Sequence, residues 1–510
     1  MKLKTLFVFA LVLLLSGINA QVNGELSQTS NKWILKTWGT HQQRGYAQGY
    51  LLSQPIMQIM NTYMYQTIAM NNPAVYNNLL DFYQTNFEVE SKYQQEVQGM
   101  VDGLIASGTN VYMSGLQRNI NSNDILMANC LVDLYFLQSQ ITGSSNVELD
   151  CASLSSWGTS TQADSILQGS VVISRFMDWN QDVALIANPL LLVSHPSEAG
   201  EQSWVSFTYP GMIGALSAIS ASGKAAFLNT GNIHNYNNVS GLHPILLSIR
   251  NGIELQDYNN DGNDNINDIF ASISDEVSLA GSIVHAISEN PVVMTGIIES
   301  NNIDGTVMRT VQNNDDMPPG MHLAATNTFR LLANPVCCTR YSNIVDSLTA
   351  NPFVTAKRQL SLLSGAAGLQ NNMMSMQYIP VSGRILWSTA SLSQPAYECE
   401  LSSFYLSTLL DFSSFSEDEI QFPAKHSLRV FPNPAHQNDQ ITIQSTTKTT
   451  EALEVFNLKG QKIAILTADK GGYEWNGRLD NGKAAGTGIY LIRMKGQGSK
   501  GNTNKLLLLP

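Results

Sequence analysis

Residues 149–180 constrain the fold of this chain more than any other stretch. Residues 151–160 mix apolar, hydroxyl-bearing and small side chains, which is typical of a strand, and the polar residues 162–165 indicate a turn. Residues 166–179 predict a second strand that is largely buried. A hairpin of these two strands would return the end of the second strand to the side of Cys151.

Arg175 and Asp178 stand near the end of that second strand. Because they are three residues apart, they leave opposite faces of an ideal strand, and both can reach Cys151 only at a strand end or a bulge. An arginine beside a thiol favours the thiolate, since an opposite charge stabilises the ionised form. The pattern therefore predicts that Arg175 and Asp178 orient the reactive groups of Cys151.

Cys151 gains a base of its own if the peptide bond between Asp150 and Cys151 is cut. The new α-amino group has a reference pKa of about 7.7–8.0, so near neutral pH it can accept the thiol proton of the same residue. The thiolate is then the attacking species. We predict that the chain cuts itself at this bond and that Cys151 is the nucleophile. The alternative for a free cysteine is a small buried side chain.

A cysteine that opens a strand, followed by a strand ending in Arg175-x-x-Asp178, resembles the cysteine branch of the N-terminal nucleophile (Ntn) hydrolases. The resemblance covers roughly residues 33–400. It is closer to the isopenicillin N acyltransferase group than to choloylglycine hydrolases or phospholipase B-like proteins. It implies an α+β fold in which residues 151–412 form an Ntn-type αββα sandwich. It also implies that residues 21–150 are a helical pro-segment, which stays bound as a separate chain after the cut.

The same resemblance assigns three more residues to the site. The string Ala-Thr-Asn327-x-Phe matches an asparagine whose amide sits at the substrate carbonyl. Asn229, at the end of a strand-turn-strand unit, matches a second donor to the oxyanion, with Asn232 in reserve. Arg340, just ahead of a predicted helix, holds either the N-terminal machinery or a substrate carboxylate. The alternatives are an ordinary turn residue at Asn327 and an ordinary helix-start residue at Arg340.

These residues together imply transfer of an acyl group from the amide bond of an N-acyl substrate to water or to another amine, with no cofactor required for catalysis. One alternative is a phospholipase B-like or ceramidase-like lipid deacylase that uses the same site. An alternative of another class is a non-catalytic surface protein that binds through the same scaffold.

Residues 257–268 carry a separate signal, because oxygen-bearing side chains follow the spacing of EF-hand and dockerin calcium loops, with Gly262 at the sixth position. The sequence predicts a structural calcium ion that pins this loop. The alternative is a solvated Asn/Asp turn. The candidate ligands are Asp257, Asn259, Asp261, Asn265 and Asp268.

Hydrophobic periodicity predicts the coarse structure of the remaining chain. Apolar residues recur at helical spacing through residues 54–138. Residues 277–287 also predict a helix, followed by a strand at residues 292–298. Residues 384–390 predict a strand near the end of this domain.

The N-terminal end and the composition indicate export. Residues 1–20 have a basic start, a short apolar core and a small residue at the end, which is typical of a signal peptide, and no other stretch predicts a membrane helix. The net charge of −12 comes without a basic cluster, so nothing indicates nucleic-acid binding. Export permits disulfides, and an odd number of cysteines leaves at least one thiol unpaired, which we assign to Cys151. Cys337 and Cys338 could pair with Cys130 or Cys399.

Residues 427–510 alternate short apolar strands with Gly and Asn turns, which predicts a small all-β sandwich after a linker at residues 413–426. Its Phe-Pro-Asn-Pro, Asn-Leu-Lys-Gly-Gln and Gly-Thr-Gly-Ile-Tyr strings resemble the C-terminal sorting domain of Bacteroidetes type IX secretion. The resemblance implies the type IX secretion machinery as a partner and a secreted or cell-surface location. The alternative, a carbohydrate-binding sandwich, lacks an obvious aromatic platform.

Overall fold

The computed structural model forms two compact units, Met1–Asp411 and Phe412–Pro510. The predicted signal peptide and most of the predicted linker lie outside the described residues. The described residues are 22–413 and 428–509, with gaps at 143–149, 232–236, 238, 290–291, 315, 318–319, 334–335, 368–370, 434, 438, 446–451, 458, 460, 469–471, 480–481 and 495–503.

The first unit contains α-helices along its whole length. In chain order α1 to α12 are His41–Leu51, Ser53–Gln58, Pro73–Asn86, Ser91–Ala106, Ser122–Asn129, Leu131–Thr142, Val183–Ala187, Ile245–Glu254, Ile266–Ser274, Thr339–Ala350, Ala356–Ala367 and Leu406–Leu409. A π-helical stretch continues α2, and single 3₁₀ turns lie between strands. These are Ile59–Ile68, Gly158–Ser160, Val311–Asn313, Pro380–Ser382 and Ala396–Glu398.

The strands of the first unit are β1 to β17. In chain order they are Gly24–Thr29, Lys32–Gly39, Tyr112–Met113, Arg118–Asn119, Asp150–Ser156, Val172–Asp178, Leu190–Pro196, Trp204–Thr208, Ser217–Ser220, Ala225–Thr230, Ser282–Ser288, Met294–Asn301, Gly305–Arg309, His322–Ala325, Asn372–Ile379, Arg384–Thr389 and Ser402–Tyr405.

Two large sheets lie at the centre of this unit. The nine-stranded sheet has the order β1-β2-β7-β8-β9-β10-β11-β12-β13, and the six-stranded sheet has the order β14-β5-β6-β15-β16-β17. Helices α8 and α9 pack on the nine-stranded sheet, and α10 and α11 pack on the six-stranded sheet. The serine hydroxyls of β5 meet His285 of β11, so the two sheets face each other. The order of the layers is helix, sheet, sheet, helix.

Residues 21–150 are built into this unit. Strand β2 pairs in parallel with β7, so the segment supplies the edge of the nine-stranded sheet. Helices α2 to α6 confirm the helical prediction for residues 54–138, and the short β3–β4 hairpin lies between α4 and α5. The mixed content of helix and sheet confirms the α+β fold class.

Helices α1 and α4 approach each other unusually closely. Each carries two glycines four residues apart, Gly45 and Gly49 on α1 and Gly99 and Gly103 on α4. A Cβ atom added at Gly45 would lie 1.7 Å from a backbone oxygen of α4, and one at Gly49 would lie 1.9 Å from another. Only glycine allows the two backbones to touch in this way.

The predicted helix at residues 277–287 is wrong, because the second half of that stretch is strand β11, Ser282–Ser288. The strand is buried along its whole length and lies between β10 and β12. A strand covered on both faces has no polar alternation, so its apolar run resembles that of a buried helix. The strand predicted at residues 292–298 is confirmed as β12.

The second unit is all-β, as the sequence predicts. Its three-stranded sheet β18-β20-β23 and its five-stranded sheet β19-β25-β24-β21-β22 share one apolar core, to which Ile443 and Trp475 contribute from one sheet and Val455 and Ile492 from the other. Strands β18 to β25 are Leu428–Phe431, Ala435–His436, Ile441–Ser445, Leu453–Asn457, Lys462–Leu466, Tyr473–Trp475, Gly488–Met494 and Asn504–Leu509.

Candidate active site

Cys151 is the second residue of β5 and is 2% exposed. In the register of the hairpin it lies opposite Met177, while Ser153 lies opposite Arg175. Directly opposed residues of antiparallel strands share a face, so these four side chains project on the same side of the six-stranded sheet. Ser153 contacts His285 of β11, which shows that this side faces the nine-stranded sheet.

Arg175 binds the sulfur of Cys151. Its Nη2 donates to the Cys151 Sγ at 3.3 Å, and its Nη1 donates to the Ser217 hydroxyl of β9 at 2.7 Å. The guanidinium is therefore held between the two sheets and is 1% exposed. Burial raises the pKa of the Cys151 thiol, the charge of Arg175 opposes that rise, and the net direction is upward.

Asp178 lies where the sequence required it, at the end of β6 beside an irregularity in the pairing with β15. Its Oδ1 accepts a hydrogen bond from Asn372 at 3.0 Å, and its Oδ2 lies 3.6 Å from Arg340 Nη1. The backbone of Asp178 also lowers the pKa of the Cys151 thiol. The carboxylate is thus linked to Cys151 through Arg340.

Asn327 and Arg340 hold the backbone of Cys151. The Cys151 N–H donates to Asn327 Oδ1 at 2.8 Å, and Arg340 Nη2 donates to the same oxygen at 2.7 Å. Arg340 Nη1 donates to the Cys151 carbonyl at 3.1 Å. Asn327 Nδ2 donates to Thr230, at 2.8 Å to its carbonyl and at 3.0 Å to its hydroxyl. In this arrangement Asn327 holds the backbone of Cys151, and its role at the substrate carbonyl stays a prediction.

Asn229 lies between the two sheets and is fully buried. Its Nδ2 is 3.0 Å from the Ser153 hydroxyl, and its Oδ1 has no hydrogen-bond partner among the described residues. Its predicted role as a donor to the oxyanion stays a prediction. Asn232, the reserve candidate, lies outside the described residues.

The sequence does not predict several polar residues of this region, namely Ser153, Ser155, Ser217, Thr230, His285 and Asn372. Ser153 and Ser155 lie on the same strand as Cys151, and the other four lie on strands that are distant from it in sequence. Single serines and asparagines in buried strands carry no local pattern that would identify them.

An apolar cavity of about 50 Å³ adjoins the site through Met177, the residue opposite Cys151. Both parts of the first unit line it. The segment before the predicted cut contributes the π-helical stretch and α5 and α6, and the rest contributes β6 and the loop after β8. Representative lining residues are Met60, Tyr63, Met64, Trp179, Tyr209 and Met212.

The cysteines form no disulfide: all five lie within the described residues, and all are free thiols. The suggested pairing of Cys337 or Cys338 with Cys130 or Cys399 is therefore not seen. Cys130 is as buried as Cys151, and burial raises the pKa of its thiol, but no arginine of the described residues donates to its sulfur. Burial alone therefore does not distinguish Cys151, the predicted nucleophile, from Cys130.

The calcium ligands predicted at residues 257–268 have other partners. Asp257 accepts hydrogen bonds from the backbone N–H groups of Asp261 and Gly262, and Asn265 caps α9. Asp268 is fully buried and pairs with Lys224 Nζ at 3.1 Å. A carboxylate already paired with an ammonium group is a poor ligand for a hard cation. Calcium binding stays a prediction, which this arrangement does not favour.

One other group of potential metal ligands converges within the described residues: His41, Glu198 and Glu201 have ligand atoms within 4.8 Å of one another. Arg44 pairs with both glutamates, at 3.0 Å and 3.4 Å, and Lys92 also pairs with Glu201. These cations already balance the carboxylates, so we assign no metal to this group.

Comparison with known proteins identifies one part of the chain. Residues 429–508 match the family model of the secretion system C-terminal sorting domain. A search of curated protein sequences finds no match. Within the described residues, no helix is both long enough and apolar enough to cross a membrane.

Solved structures give weak likenesses. The Caenorhabditis elegans ortholog of N-acylethanolamine-hydrolyzing acid amidase is 14% identical, with 45% of this chain and 93% of that chain covered and a TM-score of 0.34. A mutant of conjugated bile acid hydrolase from Clostridium perfringens is 8% identical, with 50% and 93% covered and a TM-score of 0.29. Likenesses at these scores establish neither a fold nor a function for this chain. Residues 429–508 are a type IX secretion sorting domain, and the chain is exported to the cell surface or beyond by that system.

Proposed function

We propose that the first unit is an amide hydrolase or acyltransferase that uses Cys151 as its nucleophile. The observation that carries the proposal is the contact of Arg175 with the Cys151 sulfur at 3.3 Å, with the backbone N–H and carbonyl of the same cysteine both held by side chains. A cysteine that only fills space in a core needs neither a buried guanidinium at its sulfur nor side chains bound to its backbone N–H and carbonyl. The layering of helix, sheet, sheet and helix is the one expected of an Ntn-type sandwich.

The missing base supports self-cleavage between Asp150 and Cys151. Burial raises the pKa of the thiol despite Arg175, so a proton acceptor is needed. Among the described residues, no histidine or carboxylate side chain hydrogen-bonds the sulfur. A free α-amine on Cys151 would supply the base, and Asn327 already accepts a hydrogen bond from that nitrogen.

The proposed reaction runs in two steps. The Cys151 sulfur attacks the amide carbonyl carbon while the α-amine takes the thiol proton, and the C–N bond then breaks as that proton passes to the leaving nitrogen. The product of this step is a thioester on Cys151. Water or another amine then attacks the thioester, releases the acyl group and restores the thiol. Asn327 holds the nitrogen of Cys151 and Arg340 holds its carbonyl throughout.

The apolar cavity beside Met177 favours a substrate with an apolar acyl chain. Several methionines line it, and their flexible side chains can make room for a chain larger than the present space. This observation also favours the second candidate, a lipid deacylase of the phospholipase B-like or ceramidase-like type, since both substrates carry such a chain.

Self-cleavage is tested by the mass and N-terminal sequence of the purified wild type and of Cys151→Ala. We expect a wild-type fragment that begins at Cys151 and an uncut, inactive Cys151→Ala chain. Cys130→Ala is the matched control, because it removes the other fully buried thiol and should leave cleavage and activity intact. An active wild type without the fragment would exclude the self-cleavage.

The substrate is tested by hydrolysis of N-acyl amino acids with acyl chains of increasing length, in parallel with phospholipids. Release of the amine from N-acyl amino acids, lost in Cys151→Ala, supports the amidase. Preference for phospholipids would support the lipid deacylase. Absence of labelling by a cysteine-directed active-site probe would favour the non-catalytic binding protein.

A further inference from the structure

Four buried polar side chains form a connected line beside Cys151. Ser155 Oγ lies 2.8 Å from His285 Nε2, and His285 Nδ1 lies 2.9 Å from Ser153 Oγ. Ser153 Oγ in turn lies 3.0 Å from Asn229 Nδ2. All four side chains are fully buried, so none exchanges these contacts for bulk water.

The histidine in this line is neutral. Burial lowers the pKa of His285 to about 3, and the charge of Arg309 adds to the effect. A neutral imidazole has one N–H donor and one acceptor nitrogen. One serine must therefore donate to His285 and the other must accept from it, which gives the line a direction.

The carboxamide of Asn229, at the end of the line, can take two orientations that fill the same space. With Nδ2 toward Ser153, the buried Oδ1 has no partner among the described residues. Rotating the carboxamide by 180° exchanges the two atoms. Oδ1 then lies at Ser153 and can accept from its hydroxyl, and the N–H₂ group takes the position where Oδ1 had no partner. The first orientation leaves a buried acceptor unsatisfied, and the second leaves a free donor.

Two neighbours link the Asn229 side chain to the candidate site. Ser153, its partner, pairs in register with Arg175, whose guanidinium contacts the Cys151 sulfur. Thr230, the next residue, accepts from Asn327. Attack on an amide carbonyl develops negative charge on oxygen, which an N–H donor stabilises and a carboxamide oxygen repels.

We propose that Ser155, His285 and Ser153 are positioning residues that hold Asn229 with its N–H₂ group toward the substrate carbonyl. Ser155 donates to His285 Nε2, His285 Nδ1–H donates to Ser153, and the Ser153 hydroxyl donates to Asn229 Oδ1. The proposal rests on the proposed function, because a donor to the oxyanion has a role only where Cys151 attacks a carbonyl.

The same strand supplies a matched control. Ser156 Oγ lies 3.0 Å from Nδ1 of His322, and both side chains are buried. Burial also lowers the pKa of His322, to about 4. The Ser156 hydroxyl accepts a hydrogen bond from Gln359, so this pair connects to Gln359 and not to Asn229. Loss of this pair should affect stability in the same way as loss of the Ser155 contact, without an effect on catalysis.

The kinetic test is a double-mutant cycle. Ser155→Ala should lower kcat about tenfold with KM unchanged, as expected for a loosened donor to the oxyanion, whereas Ser156→Ala should not lower it. In an Asn229→Ala background, Ser155→Ala should cause no further loss. Additive losses, or equal losses of kcat in Ser155→Ala and Ser156→Ala, would overturn the proposal.

A second test needs no substrate. The nitrogen spectrum of wild-type protein labelled with ¹⁵N-histidine, assigned by comparison with His285→Gln, reports which ring nitrogen carries the proton. We expect it on Nδ1, and a proton on Nε2 would overturn the proposed direction of the line. If the proton is on Nδ1 and no amide is cleaved, the proposed function fails while the orientation stands.

Discussion

At the scale of single residues, the balance of charge at Cys151 decides its reactivity. Arg175 is the one cation in direct contact with the sulfur among the described side chains, and its charge lowers the thiol pKa that burial raises. Arg175→Gln should therefore raise the thiol pKa further and slow alkylation at neutral pH by about tenfold or more. The measurement is the pH dependence of alkylation at Cys151, whose midpoint should move to higher pH.

Arg175→Lys is the control for that change, because it keeps a positive charge and loses the fork that spans Cys151 and Ser217. Its alkylation midpoint should lie between those of the wild type and Arg175→Gln. An unchanged midpoint in Arg175→Gln would mean that the guanidinium does not set the reactivity of the thiol.

The sequence indicates the residues on the hairpin itself, because Cys151, Arg175 and Asp178 belong to one local pattern. The irregular pairing at the end of β6 that brings Asp178 to the site follows from the strand spacing alone. The clamp by Asn327 and the line through His285 could not be predicted in the same way. The string around Asn327 indicates the residue but not its contact with Cys151. That contact and the line through His285 depend on which buried elements face each other, and a single polar residue in a buried strand such as His285 has no local signature.

At the scale of elements, the glycines of α1 and α4 fix the packing of the segment before the predicted cut. A methyl group at Gly49 would meet the backbone carbonyl of Met100, which cannot rotate away. Gly49→Ala should therefore lower the free energy of unfolding by about 1–3 kcal/mol, measured by chemical denaturation. The four-residue spacing was visible in the sequence, but only the crossing of the helices gives it meaning.

Gly365→Ala in α11 is the matched change, since nothing lies within 4 Å of its added methyl group. It should leave stability unchanged or raise it by about 0.5–1 kcal/mol, because alanine favours a helix over glycine. Equal effects at both positions would show that the close approach of α1 and α4 does not limit stability.

A buried ion network ties the same two helices to α8, and its pH dependence can be worked out. Burial lowers the pKa of His41, but hydrogen bonds to Glu201 and Glu96 outweigh it and the net direction is upward. Burial likewise opposes the shift of Glu96, but Arg250 and His41 lower its pKa to about 2. The His41 contribution is complete below its ordinary pKa of 6.5 and is lost as pH rises.

The Glu96 contribution is complete above its ordinary pKa of 4.5 and is lost as pH falls toward 2. The thermal midpoint of the first unit should therefore be highest between about pH 4.5 and 6.5. His41→Gln should lower this maximum and remove the decline above pH 6.5 that we expect of the wild type. A decline of the same size in both proteins would contradict the assignment to His41.

At the scale of the whole molecule, residues 21–150 should stay attached after a cut at Asp150. They supply β1, β2 and α1 to α6, and β2 is hydrogen-bonded to β7 along its length. The two fragments should elute together in native size-exclusion chromatography and separate only under denaturing conditions. Release of the smaller fragment in native buffer would show that the edge strands do not hold it.

We expect the two units to divide export from chemistry, because each has a core of its own. A chain ending at Asp411 should therefore fold, keep its thermal transition and keep a reactive Cys151, but should remain inside a bacterium that has type IX secretion.

Trp475→Ala in the full chain tests the same division without truncation, because Trp475 is 2% exposed in the core of the sorting domain. The substitution should lower the free energy of unfolding of the second unit by about 3–5 kcal/mol and reduce export. The first unit should unfold as in the wild type. The decisive measurement is the amount of each chain in the culture medium and on the cell surface. A chain ending at Asp411 that reaches either place would show that residues 429–508 are not required for export.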